Sequence, residues 1–231
     1  IVIKISKQNH KIVIATNPLF PKIAIDHRIA WANLGIELND FEYITNFEEL
    51  HFTKPRPEFV AEILGKIGWP DEPVVMIGNE WDMDILPAEI LGIPTYFIGT
   101  PPATSEITVN PLSSSGSMEN VLDWITHLNL NNHEFEVNNS KAALIAILRA
   151  TAANMDSFLR MPISSSRFSQ RPKADEWALI EIISHMTDVD EEVNIPRIQM
   201  ITSEDNPFIE AALTDQWADE REYIKNNPKE E

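Results

Sequence analysis

Four apolar residues in a row, Val74-Val75-Met76-Ile77, run into Gly78 and then into an acidic loop, Asn79-Glu80-Trp81-Asp82-Met83-Asp84. An uninterrupted apolar run closed by glycine describes a strand buried on both faces that breaks into a loop, the habit of parallel sheets. The stretch therefore sets α/β as the class of the front half. The loop places Glu80, Asp82 and Asp84 side by side. Carboxylates this close repel unless they face water or a cation, so a hard-metal site with oxygen ligands is one reading. The other is an acidic turn on an acidic chain.

Two further stretches bear on that choice. Lys11 to Ala15 is a short buried-strand pattern, and Thr16-Asn17-Pro18 ends it with turn chemistry. A hydroxyl and an amide at a strand's carboxyl end sit where open α/β sheets bind ligands, although an unliganded turn reads the same way. Thr53-Lys54-Pro55-Arg56-Pro57 follows a second short strand, Phe41 to Thr45, and opens a helix from Pro57 to Ile67. A lysine ahead of Pro-x-Pro lies on a fixed, extended segment, so its ammonium can be aimed at an anion; an ordinary solvated lysine is the alternative. Helical spacing over Ile23 to Leu34 ends at Gly35, and a helix over Ile85 to Leu91 ends at Gly92; Pro94 to Ile98 is the next strand. Strands alternating with helices predict a parallel, doubly wound sheet. Pro101-Pro102, Pro111 and Ser113 to Gly116 read as loop, and Ser117 as the cap of a helix over Met118 to Leu128.

Charge and composition narrow the partners. A formal charge of −18 argues against nucleic-acid phosphate and against an anionic membrane surface. Without cysteine there are no disulfides and no thiolate metal sites. No signal peptide or transmembrane-length apolar run is read, which makes a cytoplasmic protein the expectation. A homo-oligomer is compatible with the sequence. The chain starts at Ile1 and ends at Glu231 in an acidic, helix-like stretch, and both ends are expected to be cut from something longer.

Taken together, Thr16-Asn17 after an apolar strand, Lys54-Pro55-Arg56-Pro57, and Gly78-Asn79-Glu80 with Asp84 before a helix resemble the second, third and fourth motifs of the haloacid dehalogenase superfamily. The resemblance covers residues 1 to about 128 and implies a Rossmann-like hydrolase core. It further implies a magnesium-dependent phosphatase that works through an aspartyl-phosphate and acts on a small-molecule phosphate ester. Thr16 and Asn17 would hold phosphoryl oxygens and Lys54 would bridge the phosphoryl group and the nucleophile. Asn79, Glu80 and Asp84 would hold Mg2+. The departures are specific. The first motif, with its nucleophilic aspartate, has no counterpart: residues 1–15 contain no aspartate. The position of the usual leading aspartate of the fourth motif is Asn79. In the resembled fold the missing motif's strand is central, so residues 12–15 and 74–77 are expected either to stand apart or to pair directly.

Residues 129–139, with Asn131-Asn132 and Asn138-Asn139, read as a linker. Ser140 caps a long helical pattern from Lys141 to Leu159 with apolar positions at Leu144, Ile147, Leu148, Thr151 and Met155. A second helix opens near Asp175, and on it Glu181 and His185 are i,i+4 neighbours, so the carboxylate is placed to orient the imidazole. A partly buried core histidine is the alternative. Glu176-Trp177 through Glu181-Ile182 to His185, with Ile195-Pro196-Arg197-Ile198 and Trp217-Ala218 later, is similar to the DinB-like helical bundle family. That resemblance implies an all-α four-helix bundle over residues 140–231, incomplete here, with a divalent transition metal of which His185 would be the first ligand. No histidine follows His185 to complete the set.

The expected function is thus a haloacid dehalogenase-type phosphatase in the intact parent protein, fused to a DinB-like domain, with the 231 residues themselves inactive. The competing readings are a non-catalytic binding or scaffold protein with a degenerate hydrolase fold, and a DinB-type metal-dependent transferase or hydrolase.

Overall fold

The computed structural model describes residues 5, 6, 8, 10–102, 110–128, 138–160 and 165–227. The expected strands form, and they are short: β1 (Val13–Ile14), β2 (Tyr43–Ile44), β3 (Met76–Gly78) and β4 (Thr95–Ile98), joined by β5 (Ser114–Gly116). All pairing is parallel. Val13 lies opposite Tyr43 and Ile14 opposite Ile44. The other three strands run in the order β3-β4-β5, with Ile77 opposite Tyr96 and Phe97 opposite Ser115. Instead of one doubly wound sheet there are two pieces, because β1 and β3 belong to different sheets. The strand β5 corrects the expectation of a loop at Ser113 to Gly116. Its serines carry no strand signal, and it exists because the far edge of β4 offers a backbone ladder to pair with.

Helices connect the strands: α1 (Lys22–Ala32), α2 (Pro57–Lys66), α3 (Leu86–Ile90) and α4 (Val121–His127). The end of α1 departs from expectation. Asn33, in the left-handed region at φ 47°, caps it by donating its N–H to the Ala30 carbonyl, and Gly35 lies beyond. Pro57 occupies the first turn of α2, where its missing N–H costs nothing, with Glu58 in the first turn and Lys66 in the last to suit the helix dipole. A π-turn at Trp81–Ile85 leads into α3 and Pro87. A second π-turn, Asp190–Asn194, joins α6 (Leu179–Val189) to α7 (Ile195–Ser203) just ahead of Pro196. Both prolines would collide with the carbonyl four residues back in a regular helix, and the widened turn removes the clash.

Between those two regions lies α5 (Lys141–Leu159), capped by Ser140 Oγ, which accepts the Ala143 N–H at 3.2 Å. Its buried face is Ala143, Ala146, Ala150 and Ala153, while Leu144 and Leu148 are exposed at 47% and 71%. The leucine face expected from the sequence thus points away from the core. Ala143, Ala146 and Ala150 pack in one cluster with Phe59, Val60, Ile63 and Leu64 of α2 and with Ala88, Leu91 and Ile93. Small side chains let two helices approach closely, and Gly65 of α2 extends that contact: a Cβ there would stand 2.1 Å from the Asn154 amide. Although α5 has the length and apolar composition of a membrane span, its polar groups are bonded to this core. Arg149 donates to Glu58, Asn154 to the Glu62 carbonyl, and Asp156 pairs with His51.

The chain divides into two compact units, Ile1–Phe158 and Leu159–Glu231. The sequence expectation put the boundary in residues 129–139, of which 129–137 lie outside the described residues. The structure places α5 with the front unit instead of opening the back one. In the back unit Ile180, Ile183, Val193, Ala178 and Phe168 are buried, together with Ala218 of α8 (Trp217–Glu220) and Tyr223.

Candidate functional site

The carboxyl ends of β1 and β3 converge on Lys54. Asn17 Oδ1, one turn past β1, accepts the Lys54 backbone N–H at 3.2 Å. Thr45 Oγ1 donates to the carbonyls of Ile14 and Thr16, which fixes the end of β1 against that of β2. The Lys54–Pro55 peptide is cis. From there the Lys54 side chain reaches across to Asp84, with Nζ 2.5 Å from Oδ1, and lies 5.7 Å from the centroid of the buried Phe59 ring. Both partners are largely out of water, at 12% and 10% side-chain exposure, so this pair is weakly screened.

Asp84 is spent within its own loop. Oδ1 takes the Lys54 ammonium, and Oδ2 accepts the backbone N–H groups of Asn79 and Glu80 at 3.1 and 3.0 Å. Asp84 N donates back to the Glu80 carbonyl, an ordinary helical bond, and the carboxylate lies inward over Gly78. A Cβ on Gly78 would stand 2.2 Å from Asp84 Cβ, so only glycine fits there. Trp81 completes the loop edge-on to Phe97, centroids 5.4 Å apart.

Thr16, Asn17, Lys54, Asn79, Glu80 and Asp84 all line one cleft of the front unit. His185 belongs to the back unit. Among the described residues no three His, Asp or Glu side chains are grouped to hold a metal ion. The residues proposed for Mg2+ do not make a cation site as they stand, since both oxygens of Asp84 already have protein partners. The transition-metal reading of His185 does not fit either. Its ring is enclosed by Trp177, Trp217 and Tyr223 at 4.8, 6.4 and 6.5 Å, and its buried Nδ1 has no hydrogen-bond partner. Nor does Glu181 orient it. The Glu181 carboxylate is bound by the Arg171 guanidinium and by the Ala178 N–H, which holds its pKa below the ordinary carboxylate value against the opposing effect of burial.

Two charged clusters had no sequence signal because their members are far apart in the chain. His51 spans Glu62 and Asp156, with Nδ1 and Nε2 each 2.8 Å from a carboxylate oxygen. Glu62 is fully buried and also accepts the N–H groups of His51 and Phe52, which ties the approach to Lys54 onto α2 and α5. Burial opposes a charge on His51, yet these two carboxylates hold its pKa above the ordinary value. In the back unit Arg221 pairs with Asp188 and Glu192 and stacks 3.9 Å over Trp217.

Comparison with known proteins agrees with the front unit alone. Residues 51–108 match the family model described as HAD-hydrolase-like. That segment, well under half of the chain, contains Lys54 and the whole acidic loop; Thr16, Asn17 and His185 lie outside it. A mixed α/β unit with parallel sheets is compatible with such a domain. No curated protein and no solved structure matches the chain.

Proposed function

We propose that the front unit is the phosphate-handling part of a haloacid dehalogenase-type phosphatase that acts with magnesium on a small phosphate ester. The observation that supports this is Lys54: a low-exposure ammonium, aimed by Asp84 and Asn17, at the shared carboxyl ends of β1 and β3. Ligands of open α/β sheets bind outside the carboxyl ends of the strands. Lys54 would bind a phosphoryl oxygen as a point charge, and Thr16 and Asn17 would orient the group. Asn79, Glu80 and Asp84 are the residues proposed for the metal, but their present arrangement does not supply its site. The chemistry open to this chain is therefore anion binding and orientation. Covalent catalysis needs a nucleophile, and residues 1–15 carry no aspartate.

The test is titration of the full chain with inorganic phosphate or vanadate. Wild-type protein should bind, and Lys54→Met should lose at least tenfold in affinity, while Lys11→Met is unchanged. Equal binding by wild type and Lys54→Met would reject the reading. With magnesium, turnover of p-nitrophenyl phosphate should not exceed that of the Lys54→Met control.

The inward-turned Asp84 favours a second reading, a non-catalytic binding protein on a degenerate hydrolase fold, in which Lys54–Asp84 is a structural ion pair. The back unit is proposed to be the DinB-like helical part on its Glu176 to His185 motif, without a metal role in this chain.

A further inference from the structure

Lys54 stands on a segment without regular structure. Residues 45–56 join β2 to α2 through turns, and side chains from elsewhere in the fold hold their backbone in place. Glu62, a fully buried carboxylate on α2, accepts the N–H groups of His51 and Phe52 at 3.0 and 3.1 Å, and Asn17 accepts that of Lys54. Helix α5 ties the same segment from its outer side, where Ser157 Oγ donates to the Glu49 carbonyl at 3.3 Å. The His51 ring joins the two helices: Nδ1 lies 2.8 Å from Glu62 Oε1 and Nε2 lies 2.8 Å from Asp156 Oδ2. Its side chain is 34% exposed, so protons reach it from solvent. Two ring nitrogens that both donate describe the protonated imidazole, whereas the neutral ring has one N–H and serves one carboxylate. Glu62 has no access to water and would be left short of a donor, so the remaining proton stays on Nδ1. Asp156, 42% exposed, can turn to solvent. A bare Nε2 and a carboxylate oxygen at that distance repel, and the tie to α5 opens.

We propose that His51 is a positioning residue for Lys54: its protonated ring, bonded at once to Glu62 and Asp156, ties the segment that carries Lys54 to α2 and α5, and loss of the proton opens the α5 tie and weakens anion binding at Lys54. The proposal rests on the reading of Lys54 as an anion-binding residue. His51 stands three residues ahead of Lys54 on the same irregular stretch, so a ring that lets go of α5 loosens the backbone that aims the ammonium. The titratable groups about the ring are Glu62 and Lys66 of α2, Asp156 of α5, Tyr43 of β2, and Glu49 of the segment itself. Burial pushes the Tyr43 hydroxyl above its ordinary value, so it stays neutral wherever His51 titrates. Burial also lowers the Lys66 pKa, which makes Lys66 the group to control for. Burial opposes the charge on His51, and the bonds to Glu62 and Asp156 outweigh it. The proton is therefore bound at pH 6 and leaves as pH rises through the raised value.

The experiment measures sulfate affinity of the full chain at pH 6 and pH 9, because sulfate keeps its charge over that range and phosphate does not. In wild type the dissociation constant should rise at least threefold on going to pH 9. His51→Gln should bind at the weaker level at both pH values. Asp156→Asn should bind at the tighter level at both, since its amide donates to the neutral ring and its carbonyl accepts from the protonated one. Lys66→Met should keep the wild-type pH dependence. Long-range 1H–15N spectra should show His51 as the Nδ1–H tautomer at pH 9. Sulfate binding that disappears in Lys54→Met but keeps its pH dependence in His51→Gln overturns this proposal and leaves the anion reading of Lys54 standing. Equal binding by wild type and Lys54→Met at pH 6 rejects that reading, and the proposal falls with it. A pH dependence abolished by Lys66→Met, or an Nε2–H tautomer at pH 9, overturns the role of His51 alone.

Discussion

At the scale of single residues the front site is governed by Asp84, a buried carboxylate with one ammonium and two backbone donors. Asp84→Ala leaves the Lys54 charge unpaired at low exposure and should cost about 3–5 kcal/mol. Lys54→Met combined with Asp84→Asn should recover part of that loss, and urea unfolding of the single and double variants checks it. Gly78→Ala should cost about 1–3 kcal/mol by overpacking against Asp84 alone. The motifs around Lys54 and Asp84 were legible because each is a local string. That Asp84 turns inward was not, since it depends on the loop folding back to set the Asn79 and Glu80 N–H groups on its carboxylate. Distant pairings were invisible for the same reason, and His51 is the instructive case. Its pKa is raised in the folded state, so its contribution to stability is fully present below about pH 6.5 and disappears as pH rises through the raised value. The stability difference between wild type and His51→Ala should therefore shrink on going from pH 6 to pH 9, as measured by urea midpoints across that range. A constant difference would mean that the neutral ring makes the same bonds equally well.

At the scale of elements the chain was read correctly where apolar runs are long and misread where packing decides. The helix over Lys141 to Leu159 was legible from its spacing; which face it buries was not. Hydrophobicity favours the Leu144 and Leu148 stripe, but the alanine face is the one that packs with Phe59, Val60, Ile63 and Leu64 of α2, where the Asn154 amide lies against Gly65. Ala150→Leu should thus destabilise by about 1–3 kcal/mol through overpacking. Leu148→Ala, at a position 71% exposed, should fall within about 0.5 kcal/mol of wild type. Chemical denaturation of the two variants decides it, and the reverse ranking would put the leucine stripe in the core. The serine-rich β5 makes the complementary point, since a polar segment became a strand because an edge was available to it.

At the scale of the whole molecule the two units have separate cores. The apolar clusters of the front are built from α2, α3 and α5 and from Ile25, Phe41 and Ile44. The back core centres on Ile180 and Ile183. Four tryptophans, Trp31, Trp69, Trp81 and Trp124, report on the front, while Trp177 and Trp217 flank His185 in the back. Separate cores open independently when neither supplies the other's buried surface, so a core truncation in one should be felt there alone. Ile180 is fully buried, and Ile180→Ala should remove about 2–5 kcal/mol from the back unit. With 5-fluorotryptophan incorporated, the 19F signals of Trp177 and Trp217 should lose their native positions at lower urea in this variant. Those of Trp69, Trp81 and Trp124 should keep their wild-type midpoint. If all the signals moved together, the two units would be one cooperative body, and the division at Phe158 and Leu159 would describe geometry without energetic meaning.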